Sequence, residues 1–285
     1  MNGIDAGAKN RVRMWLRSER AFGLIQVAQS LSRREKNDPA ATIEVEHEAQ
    51  PVEAPSETPA PRGLIALPVL SRDQKIEQLA AMDRGEVSGC VKCRLSQTRT
   101  RTVFGEGDAD APVMFIGEGP GMNEDRTGRP FVGRAGELLD KMIVGMGFAR
   151  EQVYIANIVK CRAWMPGPPP KDRAPASDEV AACAPYLDRQ VDLIRPRVIV
   201  TLGLPAAKHV LQTQSTMGRL RGVWHEWRGV KVMPTYHPAY MLRVYSNGSP
   251  DEVRKVREAV WSDLKKVLAE LEIGLPSRGS GTANA

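Results

Sequence analysis

Cysteine is scarce in this chain, which has four among its 285 residues. Four thiols are too few to stabilise a fold of this length through disulfides, so we expect reduced cysteines, free or bound to metal. No run of about 18 apolar residues occurs, which argues against a membrane-spanning helix. The N-terminus also lacks the basic start and apolar stretch of a secretory signal, so we expect a cytoplasmic protein without membrane contact. No repeat of about 20 to 50 residues is visible, which excludes a solenoid.

Excess charge of one sign is also small. The chain carries 40 basic and 34 acidic side chains, for a formal net charge of +6. The surplus is confined to residues 63–285, because residues 1–62 contain nine side chains of each sign. A net charge of this size argues only for weak nonspecific affinity for nucleic acid. Hydrophobic residues make up 42% of the chain, enough to bury a core, which excludes a wholly disordered protein.

Composition divides the chain into four parts. Residues 1–36 have a basic amphipathic pattern of unknown role, which we expect to pack on the main domain or on a protein partner. Residues 37–70 are acidic and proline-rich, which is typical of a disordered linker. A capping-box pattern at Ser71 begins the globular domain, which we predict to span residues 71–273. Residues 274–285 are predicted to be a flexible tail.

Short apolar runs alternate with helical patterns through the globular domain. The runs predict four buried strands, at residues 113–116, 153–156, 198–202 and 230–233. The helical patterns lie at residues 135–146, 178–194, 205–211 and 251–271. This alternation predicts an α/β fold with a mostly parallel sheet covered on both sides by helices. In such folds ligands bind at the carboxyl ends of the strands, so the loops there are the candidate sites.

A glycine-rich segment, residues 117–125, follows the first predicted strand. Glycines after a strand let a ligand approach the backbone closely, as in nucleotide sites. Met122, however, stands where a dinucleotide fingerprint needs its third glycine, and no Gly-Lys-Ser/Thr of a Walker loop is present. Three carboxylates, Glu118, Glu124 and Asp125, would repel phosphate. An ordinary glycine turn explains the glycines but leaves the acidic cluster and Phe131 without a role.

Two polar residues lie at the ends of other predicted strands. Asn157 offers a donor and an acceptor side by side, which suits the reading of a base edge, although a lone asparagine here more often caps a loop. His237, which precedes a proline, is placed to donate a hydrogen bond to a developing anion. His209 lies in a helical pattern and His225 near a hairpin, so packing or surface roles are expected for both.

The cysteines form a spaced set, with Cys90 and Cys93 in a Cys-x2-Cys pair followed by Cys161 and Cys183. Four thiolates from three segments can close a tetrahedral metal site or hold a four-iron cluster. The spacing alone does not separate zinc from iron-sulfur.

The motifs, in this order, resemble those of the family 4 uracil-DNA glycosylases, which carry an iron-sulfur cluster. The resemblance covers roughly residues 71–271 and rests, with the cysteines, on residues 117–121, 124–125, 128–133, 157–162 and 237–240. It implies a three-layer α/β/α sandwich with a central four-stranded parallel sheet. It also implies a monofunctional glycosylase that hydrolyses the N-glycosidic bond of uracil in single- or double-stranded DNA and so initiates base excision repair. We expect a monomer.

The resemblance assigns a role to each site residue. His237 is similar to the histidine that stabilises the departing uracil anion. Asn157 resembles the residue that reads the uracil edge, and Phe131 resembles the platform on which the base stacks. Glu118 is expected to place water or the sugar, and Glu124 to support the pocket near uracil C5.

Gly119 belongs to the implied substrate-binding set, at the position where better-known uracil-DNA glycosylases have an aspartate as general base. The implied mechanism is therefore leaving-group stabilisation, and no general base is named. Further along the chain, Tyr240 to Arg243 resemble the loop that enters DNA where the base has left. Leu242 or Met241 is expected to wedge into the stack while Arg243 meets phosphate.

The cysteines match the cluster ligands of the family, so the resemblance assigns Cys90, Cys93, Cys161 and Cys183 to a [4Fe-4S] cluster. Its expected role is to tie distant segments together and to place basic residues for the DNA backbone, namely Lys92, Arg94, Arg99, Lys160 and Arg162. A proline-rich insertion lengthens the interval before the fourth cysteine. Residues 162–182 contain no histidine, so the covalent capture of DNA used by a cross-linking branch of the superfamily is not expected.

Two other function classes stay open. A non-catalytic iron-sulfur module for DNA binding or protein interaction is favoured by the long N-terminal extension and by the missing carboxylate at Gly119. A zinc-stabilised hydrolase of another nucleotide substrate also fits the cysteine spacing.

Overall fold

The computed structural model describes residues 70–165, 167 and 171–273. The predicted extension, the tail and all but the last residue of the predicted linker lie outside these ranges. The capping box expected at Ser71 is present: Ser71 caps the first helix of the described residues, α1 (Arg72–Met82), and exchanges two hydrogen bonds with Gln74. In the described part of the chain, no helix is long and apolar enough to cross a membrane.

Six strands form one sheet, and the four at its centre are parallel. In chain order these six are β1 (Glu106–Gly107), β2 (Val113–Gly117), β3 (Tyr154–Asn157), β6 (Val198–Leu202), β7 (His225–Trp227) and β8 (Val230–Thr235), while β4 (Trp164–Met165) and β5 (Lys171–Asp172) form a separate antiparallel pair. Across the sheet the order is β1, β3, β2, β6, β8, β7, with β1 and β7 antiparallel to their neighbours. The four-stranded parallel sheet is confirmed, and two short edge strands extend it, of which β7 lies at the hairpin expected near His225.

Helices cover both faces of the sheet. Besides α1, the α-helices of the described residues are α2 (Met122–Thr127), α3 (Arg134–Gly145), α4 (Ser177–Ile194), α5 (Leu204–Leu211), α6 (Met217–Leu220), α7 (Pro238–Asn247) and α8 (Pro250–Glu270). Alternate residues of a strand point to opposite faces. In β2, Met114 and Ile116 join the core that includes α1 and α4, whereas Val113 and Phe115 join the core that includes α3 and α8. The three-layer arrangement is confirmed.

The helices predicted from periodicity match α3, α4, α5 and α8 to within one residue at each end. The expectation of a loop at Tyr240 to Arg243 is wrong, because these residues lie in α7. Pro238 takes the first position of that helix, where a missing N–H is tolerated and the fixed φ suits helical geometry. His237 caps it with its side chain.

The parallel order brings the carboxyl ends of the central strands to one edge of the sheet. Gly117 ends β2 and Asn157 ends β3, and the two residues are register partners. Gly203 follows β6, and His237 follows β8. Residues far apart in the sequence therefore meet at this edge.

Candidate active site

A cleft of about 840 Å³ opens at the carboxyl ends of the strands, a volume typical of small-molecule sites. Eight of the predicted site residues line it, namely Glu118, Gly119, Glu124, Phe131, Asn157, His237, Tyr240 and Arg243. Leu242 is not in this lining; it is half-buried on α7 and packs against the core. The structure thus brings together nearly all of the residues that the sequence singled out for chemistry.

Asn157 presents an unpaired acceptor at this edge of the sheet. The residue is only 1% exposed, and its Oδ1 has no hydrogen-bond partner among the described residues. An unsatisfied buried acceptor costs about 1–3 kcal/mol. Because Asn157 lines the cleft, that acceptor is available to a ligand that carries an N–H donor.

Gly117 makes room for the two side chains that a flat ligand would meet. A Cβ added to Gly117 would lie 2.4 Å from Oδ1 of Asn157 and 2.6 Å from Cζ of Phe131. Both distances are far below van der Waals contact, so any side chain here would displace the amide or the ring. Position 117 therefore requires glycine, because a larger residue would clash with Asn157 and Phe131.

Phe131 is held in a backbone conformation that non-glycine residues rarely adopt, with φ of 49°. Such a conformation persists only where the surroundings enforce it, and it is concentrated at functional sites. One constraint is Gly136, where an added Cβ would lie 1.9 Å from the carbonyl oxygen of Phe131. Phe131 is 6% exposed, and its ring centroid lies 5.6 Å from that of the His237 ring at an interplanar angle of 31°.

The Glu124 carboxylate accepts hydrogen bonds from backbone N–H groups both within the glycine-rich segment and beyond it. Its Oε1 accepts hydrogen bonds from the N–H groups of Val132 at 2.8 Å and Gly133 at 2.9 Å. Its Oε2 accepts from the N–H of Gly121 at 3.1 Å. These bonds fix the backbone immediately after Phe131, so Glu124 supports the pocket through the main chain.

His237 is oriented by its place at the start of α7. Its Nδ1 accepts a hydrogen bond from the N–H of Ala239 at 3.0 Å. A ring nitrogen that accepts carries no proton, so the neutral ring holds its proton on Nε2. Burial, together with the positive charge of Arg243, lowers the pKa of His237 to about 4. The ring is therefore neutral at pH 7 and keeps Nε2–H as a donor for a ligand.

Glu118 begins the glycine-rich segment and is half-buried in the cleft. Its carbonyl oxygen accepts a hydrogen bond from the N–H of Val159 at 3.3 Å, which ties the segment to the chain after β3. Burial raises the pKa of the Glu118 carboxyl above its usual range. A carboxylate of raised pKa attracts a proton more strongly than an exposed one, which suits it to hold a water molecule.

Comparison with known proteins places this constellation in a family. The sequence model of the uracil DNA glycosylase superfamily matches residues 104–265. A type-4 uracil-DNA glycosylase from Sulfurisphaera tokodaii is 46% identical over 191 residues, which are 64% of this chain and 80% of that protein. This chain belongs to the type-4 uracil-DNA glycosylases. The resemblance inferred from its motifs is confirmed.

Two further type-4 uracil-DNA glycosylases show the same degree of similarity. The protein from Saccharolobus solfataricus is 42% identical over 207 residues, which are 69% of this chain and 90% of that protein. The protein from Thermotoga maritima is 42% identical over 192 residues, which are 67% of this chain and 93% of that protein. The chain therefore spans most of the length of these relatives.

Helix α7 forms one side of the cleft in this type-4 uracil-DNA glycosylase. Tyr240 is 36% exposed, and its ring centroid lies 4.9 Å from that of Tyr236. The guanidinium of Arg243 lies 5.9 Å from the Tyr240 ring. Met241 is fully buried in the core, so the expectation that it wedges into DNA is wrong, and Leu242 keeps that assignment as a prediction.

The four cysteines of the glycosylase surround one small cavity between α4 and the segments before β1 and after β3. Three of their sulfurs lie near hydrogen-bond donors: Cys90 is 3.5 Å from the Tyr186 hydroxyl, Cys161 is 3.4 Å from an Arg99 guanidinium nitrogen, and Cys183 is 3.2 Å from the Lys160 backbone nitrogen. Burial raises the pKa of Cys161 to about 11. Among the described residues, no three His, Cys, Asp or Glu side chains are arranged to hold a single metal ion.

Two of the basic residues expected at the DNA backbone are buried instead. Lys160 is 1% exposed and Arg162 is 7% exposed. Arg162 forms an ion pair with Asp172 at 2.6 Å, and its guanidinium lies 5.4 Å from the Trp164 ring. Both side chains turn inward because polar partners satisfy them there, so the phosphate-binding expectation is wrong for Lys160 and Arg162.

Sequence reasoning missed several parts of the cleft wall. Gly203 has φ of 88°, and an added Cβ there would lie 3.0 Å from Cβ of His237. The signal was available, because Gly203 follows a predicted strand whose carboxyl end belongs to the same edge. Tyr236 and Met217 also line the cleft, as do Asp172 and Arg173, which follow the proline-rich insertion at residues 164–170. No local pattern marks the last two, since their place depends on how the chain returns from β4.

Proposed function

We propose that this chain excises uracil from DNA by hydrolysing the N-glycosidic bond, and that the cleft holds the extruded base. The observation that carries the proposal is the unpaired, buried Oδ1 of Asn157 beside the Phe131 ring. A flat base that donates from its edge satisfies both groups. An enzyme that acts on a base in DNA must take that base out of the stack into such a pocket.

Uracil matches the amide of Asn157 on two adjacent atoms. Its N3–H donates to Oδ1, and its O4 accepts from the amide nitrogen. Cytosine offers an unprotonated N3 and an amino group at these positions, so it would place acceptor against acceptor and donor against donor. We propose that this mismatch is the basis of discrimination, with Phe131 stacking on the base.

His237 stabilises the leaving group. As the glycosidic bond breaks, negative charge develops on uracil O2, and the neutral ring donates Nε2–H to it. The donor is preorganised, because the Ala239 N–H holds Nδ1 and burial keeps the ring unprotonated. Removing one such donor in other enzymes slows the reaction about 10²–10³-fold.

Because position 119 is glycine, no aspartate there can act as a general base on the water that attacks the sugar. A Cβ at Gly119 would lie 2.9 Å from Cγ2 of Val159, so a longer side chain there would require Val159 to move. Glu118 is the carboxyl next to this position, and we propose that it places the water or the sugar. Glu124 is already bound to three backbone N–H groups and acts as a support.

The first turns of α7 are proposed to meet the DNA strand. Arg243 is exposed at the cleft, suited to a phosphate, and Tyr240 is exposed beside it. Leu242 is the candidate to enter the base stack, which would require it to leave its packing against the core.

We propose that Cys90, Cys93, Cys161 and Cys183 are the ligands of a [4Fe-4S] cluster. Support comes from the chemistry of the donor set, four thiols around one cavity with donors at three sulfurs. Glycosyl hydrolysis needs no electron transfer, so the cluster would cross-link three segments of the fold.

The test is uracil release from a labelled oligonucleotide that carries one uracil, followed by heating in alkali. Strand cleavage only at uracil is expected, with the matched thymine and cytosine oligonucleotides left intact. A protein that binds DNA but leaves uracil in place would instead be a non-catalytic module. Iron and zinc analysis of the same preparation decides the metal, since a colourless anaerobic protein with stoichiometric zinc would refute the cluster.

A further inference from the structure

Lys160 is a buried lysine that touches the base-reading strand. Its Nζ donates a hydrogen bond to the carbonyl oxygen of Asn157 at 3.0 Å and another to Oε1 of Gln190 at 2.6 Å. Gln190 is itself fully buried, and its amide nitrogen donates to the carbonyl oxygen of Phe104 at 2.9 Å and to the Tyr154 hydroxyl at 3.2 Å. Nζ is therefore held by a buried hydrogen-bond network on the side away from Asn157.

The backbone of Lys160 is fixed as well. Its N–H donates to Sγ of Cys183 at 3.2 Å, and its carbonyl oxygen accepts from Val103 at 2.7 Å. One residue thus touches the cysteine cavity through its main chain and Asn157 through its side chain. The contact with Asn157 lies at the end of β3, where the regular ladder of the sheet stops.

Stability alone does not explain a lysine at this place. Burying an amino group is unfavourable, and replacing a buried polar network by apolar side chains of similar volume is often neutral or stabilising. The Asn157 side chain, in contrast, has an unpaired Oδ1 and so depends on its main chain for orientation. A bond to the carbonyl of that same residue supplies the missing constraint.

We propose that Lys160 is a positioning residue for uracil recognition, which holds the Asn157 carbonyl so that the side-chain amide faces the base. The inference rests on the proposed function. It assigns to Lys160 a role inside the protein in place of contact with the DNA backbone.

A double-mutant cycle tests the proposal, with Lys160→Met, Asn157→Ala and the combination. Methionine keeps most of the side-chain volume and removes the donor. If Lys160 acts through Asn157, Lys160→Met lowers the single-turnover rate about tenfold in the wild-type background and less than about twofold in the Asn157→Ala background. Equal factors in both backgrounds would overturn the proposal.

A binding readout separates positioning from general damage. Inhibition by free uracil should weaken about tenfold in Lys160→Met, whereas affinity for abasic-site DNA should stay at the wild-type value. Parallel loss of both affinities would show a structural role only. Thermal unfolding and iron content are measured on each variant to establish that it is folded and loaded.

Gln190→Leu provides a second route if Lys160→Met does not fold. It removes one of the two acceptors of Nζ, and it should lower the rate and the affinity for free uracil by a smaller factor that again disappears in Asn157→Ala. Wild-type uracil inhibition in this variant would count against the proposal. If the wild-type protein releases no uracil, the proposed function fails; if it does and the cycle is additive, only the role of Lys160 fails.

Discussion

The β2 residue Gly117 leaves the space that the Oδ1 atom of Asn157 occupies, since an added Cβ would lie 2.4 Å from that oxygen. Gly117→Ala should therefore leave the fold intact and displace the amide and the Phe131 ring. A displacement of about 1 Å can lower a rate about 100-fold, and we expect a loss of this size in single-turnover uracil release. Gly218→Ala is the matched control, because a Cβ there meets nothing within 4 Å. Equal activity of the two variants would contradict the assigned geometry.

His237→Ala should slow the chemical step far more than it weakens DNA binding. The variant loses the donor to the departing uracil, for which about 10²–10³-fold in single-turnover rate is expected. Affinity for abasic-site DNA, measured by fluorescence anisotropy, should change little. His209→Ala, on α5, controls for the loss of a half-buried ring. Equal losses in rate and affinity would make His237 a binding residue.

The pH dependence of the rate should report Glu118 before His237. Burial raises the pKa of Glu118, so the rate falls as pH drops through that raised pKa if the carboxylate is needed. His237 stays neutral until pH approaches about 4. Glu118→Gln should therefore be slower at neutral pH but flat from pH 8 to about 5, below the ordinary histidine range. An acid limb near the ordinary histidine pKa in that variant would show that His237 is not shifted.

Glu118→Gln should also make the protein more stable at neutral pH. A carboxyl whose pKa is raised by folding adds stability below the pKa it has when unfolded, and this stability is lost as pH rises through the folded pKa. At pH 7 the buried carboxylate is thus unfavourable, and glutamine removes the penalty. Calorimetry should show a higher Tm at pH 7 and a difference that shrinks toward pH 4. Glu137→Gln, on the exposed side of α3, is the control, and a lower Tm for Glu118→Gln would refute the prediction.

Arg243→Ala should weaken binding to every DNA sequence alike. If its guanidinium neutralises one phosphate, the slope of log affinity against log salt falls by about 1. Anisotropy titrations of uracil-free duplex between 50 and 200 mM salt, about the range in which such slopes are resolved, measure this directly. Arg254→Ala, whose arginine pairs with Asp251 on α8, should keep the wild-type slope. An unchanged slope in Arg243→Ala would remove this residue from the interface.

The sequence was sufficient for the centre of the fold because its signals are local. A few consecutive residues are enough to predict each of the four parallel strands, from its apolar run, and the start of α1, from the capping box at Ser71. The edge strands β1 and β7 span two and three residues, too short for a period to show. Helix α7 was missed because the resemblance implied a loop at Tyr240 to Arg243, although the proline before them suits the first turn of a helix.

The sequence predicted which residues line the cleft better than it predicted what each side chain contacts. The strand-end rule gathered Glu118, Asn157 and His237 because it depends only on topology. The inward turn of Lys160 was not visible, since its partner Gln190 lies 30 residues further along the chain. The charge of a basic residue beside a cysteine suggests that it binds phosphate. Only the tertiary structure shows whether its side chain is exposed to water or donates to a buried amide.

The three backbone bonds of Glu124 have a consequence for turnover. One carboxylate joins the loop at Gly121 to the loop at Val132 and Gly133, and all three donors belong to the main chain of the protein itself. The entropy of ordering these loops is therefore lost once, when the chain folds, and not again at each encounter with a base. A glycosylase that must inspect many bases for each uracil meets every one of them with the same finished pocket.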